Sequence, residues 1–120
     1  MKAQVRHVLG PDGLDLATYR STDPDHFCVG VRLIAGPAGA SGEESFDFEV
    51  CTASALEEKL GGDPRLLRHV VLIRRFDPDA IIRFVEAHVR SCEGDTWPVL
   101  AEKLGRLGHW EFEDYQPFSG

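Results

Sequence analysis

The sequence predicts an α+β protein with two layers, in which helices pack on one face of a mostly antiparallel sheet. Three observations support this class. Several segments alternate apolar and polar residues as strands do, others repeat apolar residues at helical spacing, and the elements follow in the order βββαβααβ. Because 120 residues can bury a core without disulfides or metals, we expect one domain spanning residues 1–120.

Turn and capping residues set the boundaries of the elements. The expected strands are residues 2–9, 27–36, 44–52, 66–76 and 109–115, and the expected helices are residues 54–60, 78–92 and 96–108. Ser54 and Glu57 have the spacing of a capping box at the first helix. Asp77 is the expected N-cap of the second helix, with Pro78 at its first position.

A glycine-rich connection joins the second and third strands as a hairpin. Their register follows from which positions, odd or even, carry the apolar residues of each strand. Opposed residues of an antiparallel pair lie on the same face, and the apolar residues of both strands must face the core together. The resulting pairs are Val29 with Val50 and Val31 with Phe48 on the inner face, and Arg32 with Asp47 and Cys28 with Cys51 on the outer face.

Apolar stripes indicate which other faces are buried. The stripes of the two longer helices are Ile81, Ile82, Phe84, Val85, Val89 and Cys92, and Trp97, Leu100, Leu104 and Leu107. Residues 70–73 are apolar at odd and even positions alike, which is typical of a central strand covered on both sides. In the last strand Trp110 and Phe112 are expected to face the core, whereas Glu111 and Glu113 face outward.

Charge and composition exclude several classes of function. A net charge of −7 argues against a nucleic-acid partner, which a basic surface would have to bind. The acidic surplus lies in residues 43–60 and 93–120, whereas residues 61–92 are slightly basic. The first ten residues hold no apolar run of signal-peptide length and no segment approaches a membrane span, so we expect a cytoplasmic protein without a membrane partner.

The sequence contains no recognisable chemistry of catalysis or metal binding. Three cysteines without a paired CxxC spacing predict neither a disulfide scaffold nor a zinc ribbon. His88 and Cys92 have the spacing of a ligand pair on a helix, but both lie on or beside an apolar stripe, which favours a packed helix face. Cys28 and Cys51 are expected to be reduced neighbours, and Cys92 the slowest thiol to be modified. With no nucleophile or phosphate-loop motif present, we expect no enzyme activity, cofactor or metal.

The outward acids of two strands form the candidate binding site. Its residues are Asp47 and Glu49 on the third strand and Glu111, Glu113 and Tyr115 on the last. Outward charges also keep sheets soluble and block edge pairing, and this interpretation stays open. The aromatic ring of Tyr115 beside the acids favours binding, because interfaces use aromatic anchors and charge to steer a basic partner.

Four segments together resemble the immunity protein 8 family of bacterial polymorphic toxin systems. They are "DPDHFCVGVRLIAGPAG", "SFDFEVCT", "SCEGDTWPVLAEKLGRLG" and "WEFEDY", in matching order and spacing from the first strand to Tyr115. The resemblance implies a small cytoplasmic antidote, encoded beside a toxin, that binds the toxin domain and blocks it without catalysis or a cofactor. It assigns no contact residues.

The class of toxin stays open at this stage. A nuclease is the first expectation, because enzymes that hold phosphates are basic and an acidic face would attract them. A deaminase or a nucleotide-degrading enzyme would fit as well. The alternatives to an antidote are a constitutive interaction or scaffold domain, which the identity of the neighbouring gene would distinguish, and a small metal-dependent hydrolase, which would contain stoichiometric metal.

Overall fold

A computed structural model describes residues 1–112 and confirms the predicted α+β class and order of elements. The strands are β1 (Ala3–Leu9), β2 (Cys28–Pro37), β3 (Glu44–Cys51), β4 (Val70–Leu72) and β5 (His109–Trp110). The helices are α1 (Ala53–Leu60), α2 (Pro78–Ser91) and α3 (Trp97–Leu104). No helix in these 112 residues is both long and apolar enough to cross a membrane.

Strand β3 is the centre of the sheet. One of its edges pairs with β2, which pairs in turn with β1, and both pairings are antiparallel. The other edge is divided between two short strands. β4 lies parallel to Glu49–Cys51, and β5 lies antiparallel to Phe46 and Asp47. The predicted β2–β3 register is confirmed at every pair, including Arg32 opposite Asp47 and Cys28 opposite Cys51.

The core lies between the inner face of the sheet and helices α2 and α3. Its fully buried side chains from the strands are Leu33, Phe46 and Val50, and those from the helices are Val85, Leu100 and Leu104. These residues follow the predicted periods of two in the strands and about 3.6 in the helices. Removal of this apolar surface from water is the main stabilising term of such a domain.

Helix α2 begins as predicted, and its stripe is narrower than expected. The Asp77 side chain accepts a hydrogen bond from the Ala80 amide, and Pro78 occupies the first turn. The prediction that Phe84 joins the buried stripe is wrong, since this side chain is 49% exposed. The core contacts Ile81, Val85 and Val89 instead, which already fill the strip between α2 and the sheet.

Helix α1 starts one residue earlier than predicted because Thr52, and not Ser54, is its N-cap. The Thr52 hydroxyl accepts from the Ala55 amide at 3.4 Å and from the Phe27 amide at 3.1 Å. One buried hydroxyl therefore closes the end of the β2–β3 hairpin and caps the helix. The Ser54 hydroxyl lies 3.0 Å from Nδ1 of His26.

The prediction of a long central strand at residues 66–76 is wrong. Strand β4 has three residues and lies beside half of one edge of β3, with Leu72 60% exposed. His69 adopts a left-handed conformation (φ 59°), which interrupts any extended segment before Val70. Since β5 pairs with Phe46 and Asp47 on the same edge, β4 pairs only with Glu49–Cys51 of β3 in the part of the chain that the structure describes.

The last predicted strand is described only in part. Trp110 is half-buried and stacks on Phe46, with ring centroids 6.5 Å apart and planes at 20°. Phe112 was predicted to be a core residue, but it lies in a turn, is 40% exposed and contacts the edge of Trp110. Glu113 and Tyr115 lie outside the described residues.

Candidate partner-binding face

The outer face of the sheet contains a shallow cavity of about 500 Å³. It is bounded by Gly10, Gly30, Val31, Arg32, Asp47, Phe48, Glu49, Arg68, His69 and His109. These residues come from β2, β3, the start of β5, the segment before β4 and, for Gly10, the position after β1, so the cavity lies across the centre of the sheet. We call this surface, together with Glu111, the outer face.

Strand pairing brings both acidic segments to this face. β5 lies directly beside β3, with His109 opposite Asp47, and Glu111 follows in the turn immediately after β5. Glu111 also lies near enough to Arg32 for its charge to raise the pKa of that guanidinium, although Asp47 contributes more through a hydrogen bond and its charge. Three of the five predicted site residues, Asp47, Glu49 and Glu111, are therefore neighbours.

Two of these acids have basic partners within the chain. Asp47 accepts two hydrogen bonds from Arg32, at 2.7 Å from Nε and 2.9 Å from Nη2. Glu49 accepts from Nζ of Lys59 in helix α1 at 3.0 Å, which raises the pKa of the lysine. All four side chains are about half exposed, from 47% to 54%, so each pair contributes only about 0–1 kcal/mol to stability.

Histidines and an arginine complete the rim of the cavity, and the sequence predictions did not include them. His69 is close to the Gly105 carbonyl, with 2.8 Å between Nε2 and the oxygen, and its own carbonyl accepts from the Glu49 amide. Its ring lies 6.0 Å from that of His109. The signal that could have indicated these residues is the basic character of residues 61–92, which are adjacent to acidic β3 in the sheet.

The cysteines are free thiols, as predicted. Cys51 has no exposed surface, and burial is the main reason that its pKa rises to about 12, with a hydrogen bond from the Cys51 thiol to Cys28 adding to the effect. Cys92 is buried on α2, where its thiol donates to the His88 carbonyl. Within residues 1–112, the group of side chains placed to hold a metal ion consists of Cys28, Glu49 and Cys51.

His88 lies half-buried on α2, beside the backbone of Lys103 in α3. Burial lowers its pKa, and the hydrogen bond with that backbone opposes the effect. The Nε2 atom of His88 is buried and has no hydrogen-bond partner among residues 1–112. This arrangement agrees with the predicted packed helix face, because Cys92 directs its thiol to a backbone carbonyl and not to the imidazole.

Comparison with known proteins identifies a family. No curated protein and no solved structure matches the chain significantly. The family model described as Immunity protein 8 matches residues 3–115 of the 120, which include every strand and helix described above. The earlier resemblance, based on four segments, is thereby confirmed. The chain belongs to the Immunity protein 8 family.

Proposed function

We propose that this protein neutralises a cognate toxin domain by stoichiometric, non-catalytic binding through its outer face. Membership of an immunity protein family supports the general role. The observation that supports this particular surface is the pairing of β5 with β3, which brings Glu111 near Arg32, a residue that lines the cavity together with Asp47 and Glu49. A protruding loop or side chain of a partner could enter such a cavity.

The partner binds by replacing ion pairs within this chain with ion pairs between the two proteins. Arg32 and Lys59 neutralise Asp47 and Glu49 in the free protein, but the exposed pairs are weak. A lysine or arginine of the partner can replace either base at little cost, and exclusion of water from the interface then strengthens the new pair. The intramolecular bases also keep the acids from repelling one another before the partner arrives.

The partner class follows from this chemistry. A basic toxin domain fits best, and toxins that act on nucleic acids are basic because they hold phosphates. We propose a nuclease first, and a deaminase or nucleotide-degrading enzyme of a polymorphic toxin system as the other classes. The toxin would act, and be neutralised, in the cytoplasm. In this proposal Glu113 and Tyr115 also contact the toxin, with Tyr115 as an aromatic anchor.

A substitution at Gly30 tests the proposed surface. Gly30 lies on the cavity floor, and a Cβ atom added there would have no heavy atom within 4 Å. Gly30→Trp should therefore fill the cavity without disturbing the fold. Gly62 is equally exposed, also has open space at its Cβ position and does not line the cavity, so Gly62→Trp is the matched control.

The assay is co-expression with the toxin domain encoded by the neighbouring gene, together with direct binding measurements. Wild-type protein and Gly62→Trp should protect the cell, whereas Gly30→Trp should weaken binding by at least about 30-fold, the equivalent of one hot-spot residue. Protection by Gly30→Trp equal to that of wild type would exclude the outer face. Failure of wild type to bind the toxin domain would exclude that pair as cognate partners.

Charge reversal tests the contribution of the acids. Glu49→Lys combined with Glu111→Lys should slow association, and the association rate of wild type should fall as salt rises towards physiological strength, where screening acts over about 8 Å. A reversed variant that is folded, and that associates as fast as wild type, would exclude electrostatic attraction by this face.

A further inference from the structure

The sheet brings two thiols and a carboxylate together on its outer face. The Sγ atoms of Cys28 and Cys51 and a carboxylate oxygen of Glu49 all lie within 4.8 Å of one another. We propose that these three side chains form a binding site for a thiophilic divalent cation, with zinc as the preferred ion. This inference does not depend on the proposed toxin-binding role of the face.

The backbone explains why the ligand atoms are close. The Thr52 amide donates to the Phe27 carbonyl, so the next pair along the hairpin, Cys28 and Cys51, is a non-hydrogen-bonded pair. Side chains approach most closely in such pairs. Glu49 lies two residues before Cys51 and therefore points to the same face.

Gly30 leaves room for the carboxylate. It is the residue opposite Glu49 in the ladder, and its missing side chain leaves open space above the strand. The Glu49 side chain can therefore turn either towards Lys59, as in the ion pair described above, or towards the two thiols. Metal binding would release Lys59 from this pair.

The distances suit zinc after small side-chain rotations. Bonds of about 2.3 Å to sulfur and about 2.0–2.2 Å to oxygen hold the ligand atoms of a tetrahedral site a little under 4 Å apart. Two sulfur ligands select zinc and similar soft ions over magnesium or calcium, which prefer oxygen. Three protein ligands leave a fourth position for water or another donor.

Proton release is part of the binding reaction. Both thiols must lose a proton to bind the ion. The affinity for zinc should rise with pH, and binding in weak buffer should release protons.

The test uses the full chain, purified with reduced thiols and titrated with Zn²⁺ against a chromophoric chelator. One ion should bind per chain, and Co²⁺ as a second probe should show the intense absorption of thiolate ligation. Cys28→Ser changes a partly exposed side chain and Glu49→Gln a half-exposed one, so both variants should stay folded. Each should bind Zn²⁺ more than about 100-fold more weakly, because even second-shell changes cost about 10–100-fold.

Cys92→Ser is the matched control, because it removes a thiol that lies on α2 and is not part of the group. This variant should bind Zn²⁺ as wild type does. Wild-type affinity in Cys28→Ser, loss of binding in Cys92→Ser, or Co²⁺ spectra without thiolate absorption would each overturn the proposal. Formation of a Cys28–Cys51 disulfide in place of metal binding under reducing conditions would overturn it as well.

Discussion

Gly108→Ala should separate β5 from β3, because Gly108 has no room for a side chain. A Cβ atom built at this residue would lie 2.9 Å from the carbonyl carbon of Phe46 and 3.1 Å from the amide nitrogen of Asp47. Both atoms belong to the backbone of the central strand, which is paired on its other edge with β2. Since β3 cannot move aside, the substitution must displace the segment that carries β5.

The cost follows from the closeness of these contacts. Overpacking of a well-packed site destabilises a protein by about 1–3 kcal/mol. For a chain of this length, each kcal/mol lowers the melting temperature by about 4 °C, so we expect a decrease of about 4–12 °C. Urea unfolding followed by tryptophan fluorescence would measure the loss in free energy of unfolding, since Trp110 lies in the displaced strand. A thermal melt would measure the decrease in melting temperature.

Gly62→Ala is the control for this experiment. The added methyl group meets no heavy atom within 4 Å, so stability should change by less than about 0.5 kcal/mol. If Gly108→Ala were as stable as Gly62→Ala, β5 would not pack on β3 as described. The adjacency of Glu111 to Asp47 would then lose its support.

The remaining predictions concern thiols, core packing and pH. Time-resolved labelling followed by mass spectrometry should show Cys51, and not Cys92 as expected from the sequence, as the slowest thiol, because Cys51 has no exposed surface and a pKa of about 12; slower labelling of Cys92 would contradict this reasoning. Urea unfolding should show that Leu100→Ala, at a fully buried site, costs about 2–5 kcal/mol. Val99→Ala, at a 44% exposed site on the same helix, should cost less than about 1 kcal/mol, and equal losses would refute the assigned helix face. Burial lowers the pKa of His88 from its usual 6.5, so the unfolded state takes up its proton first and stability should fall as pH drops below that value. His88→Asn should reduce this pH dependence. If the unfolding midpoints of wild type and His88→Asn changed identically with pH, His88 would not be its source.

Local patterns predicted much of the fold because they report on local constraints. The β2–β3 hairpin has a short connection, and the parity of its apolar residues allowed one register. Asp77 and Pro78 are characteristic of a helix start, and α2 begins there. The sequence determined the N-cap of α1 less well, because Thr52 and Ser54 both carry a hydroxyl that could cap the helix. The choice depends on Phe27, whose amide also donates to Thr52.

Long-range pairing could not be predicted from such patterns. Nothing near residues 66–76 indicates that β5 takes part of the same edge of β3, which leaves β4 only three residues long. The alternation of residues along the strands placed Asp47, Glu49 and Glu111 on an outward face. It could not indicate Lys59, the basic partner of Glu49, because this residue comes from a helix. The proposed zinc site has no metal-binding motif in the sequence either. Its three ligands come together through the β2–β3 register and the absence of a side chain at Gly30.

The division of one β3 edge between β4 and β5 also determines when the outer face is completed during synthesis of the chain. More than half of the chain separates Phe46 from its partner Trp110, so β3 emerges from the ribosome long before β5. A nascent chain that has reached only α2 already contains Asp47 and Glu49, but it cannot yet place Glu111 beside them. The outer face is therefore assembled late, and a chain truncated before His109 would lack part of it.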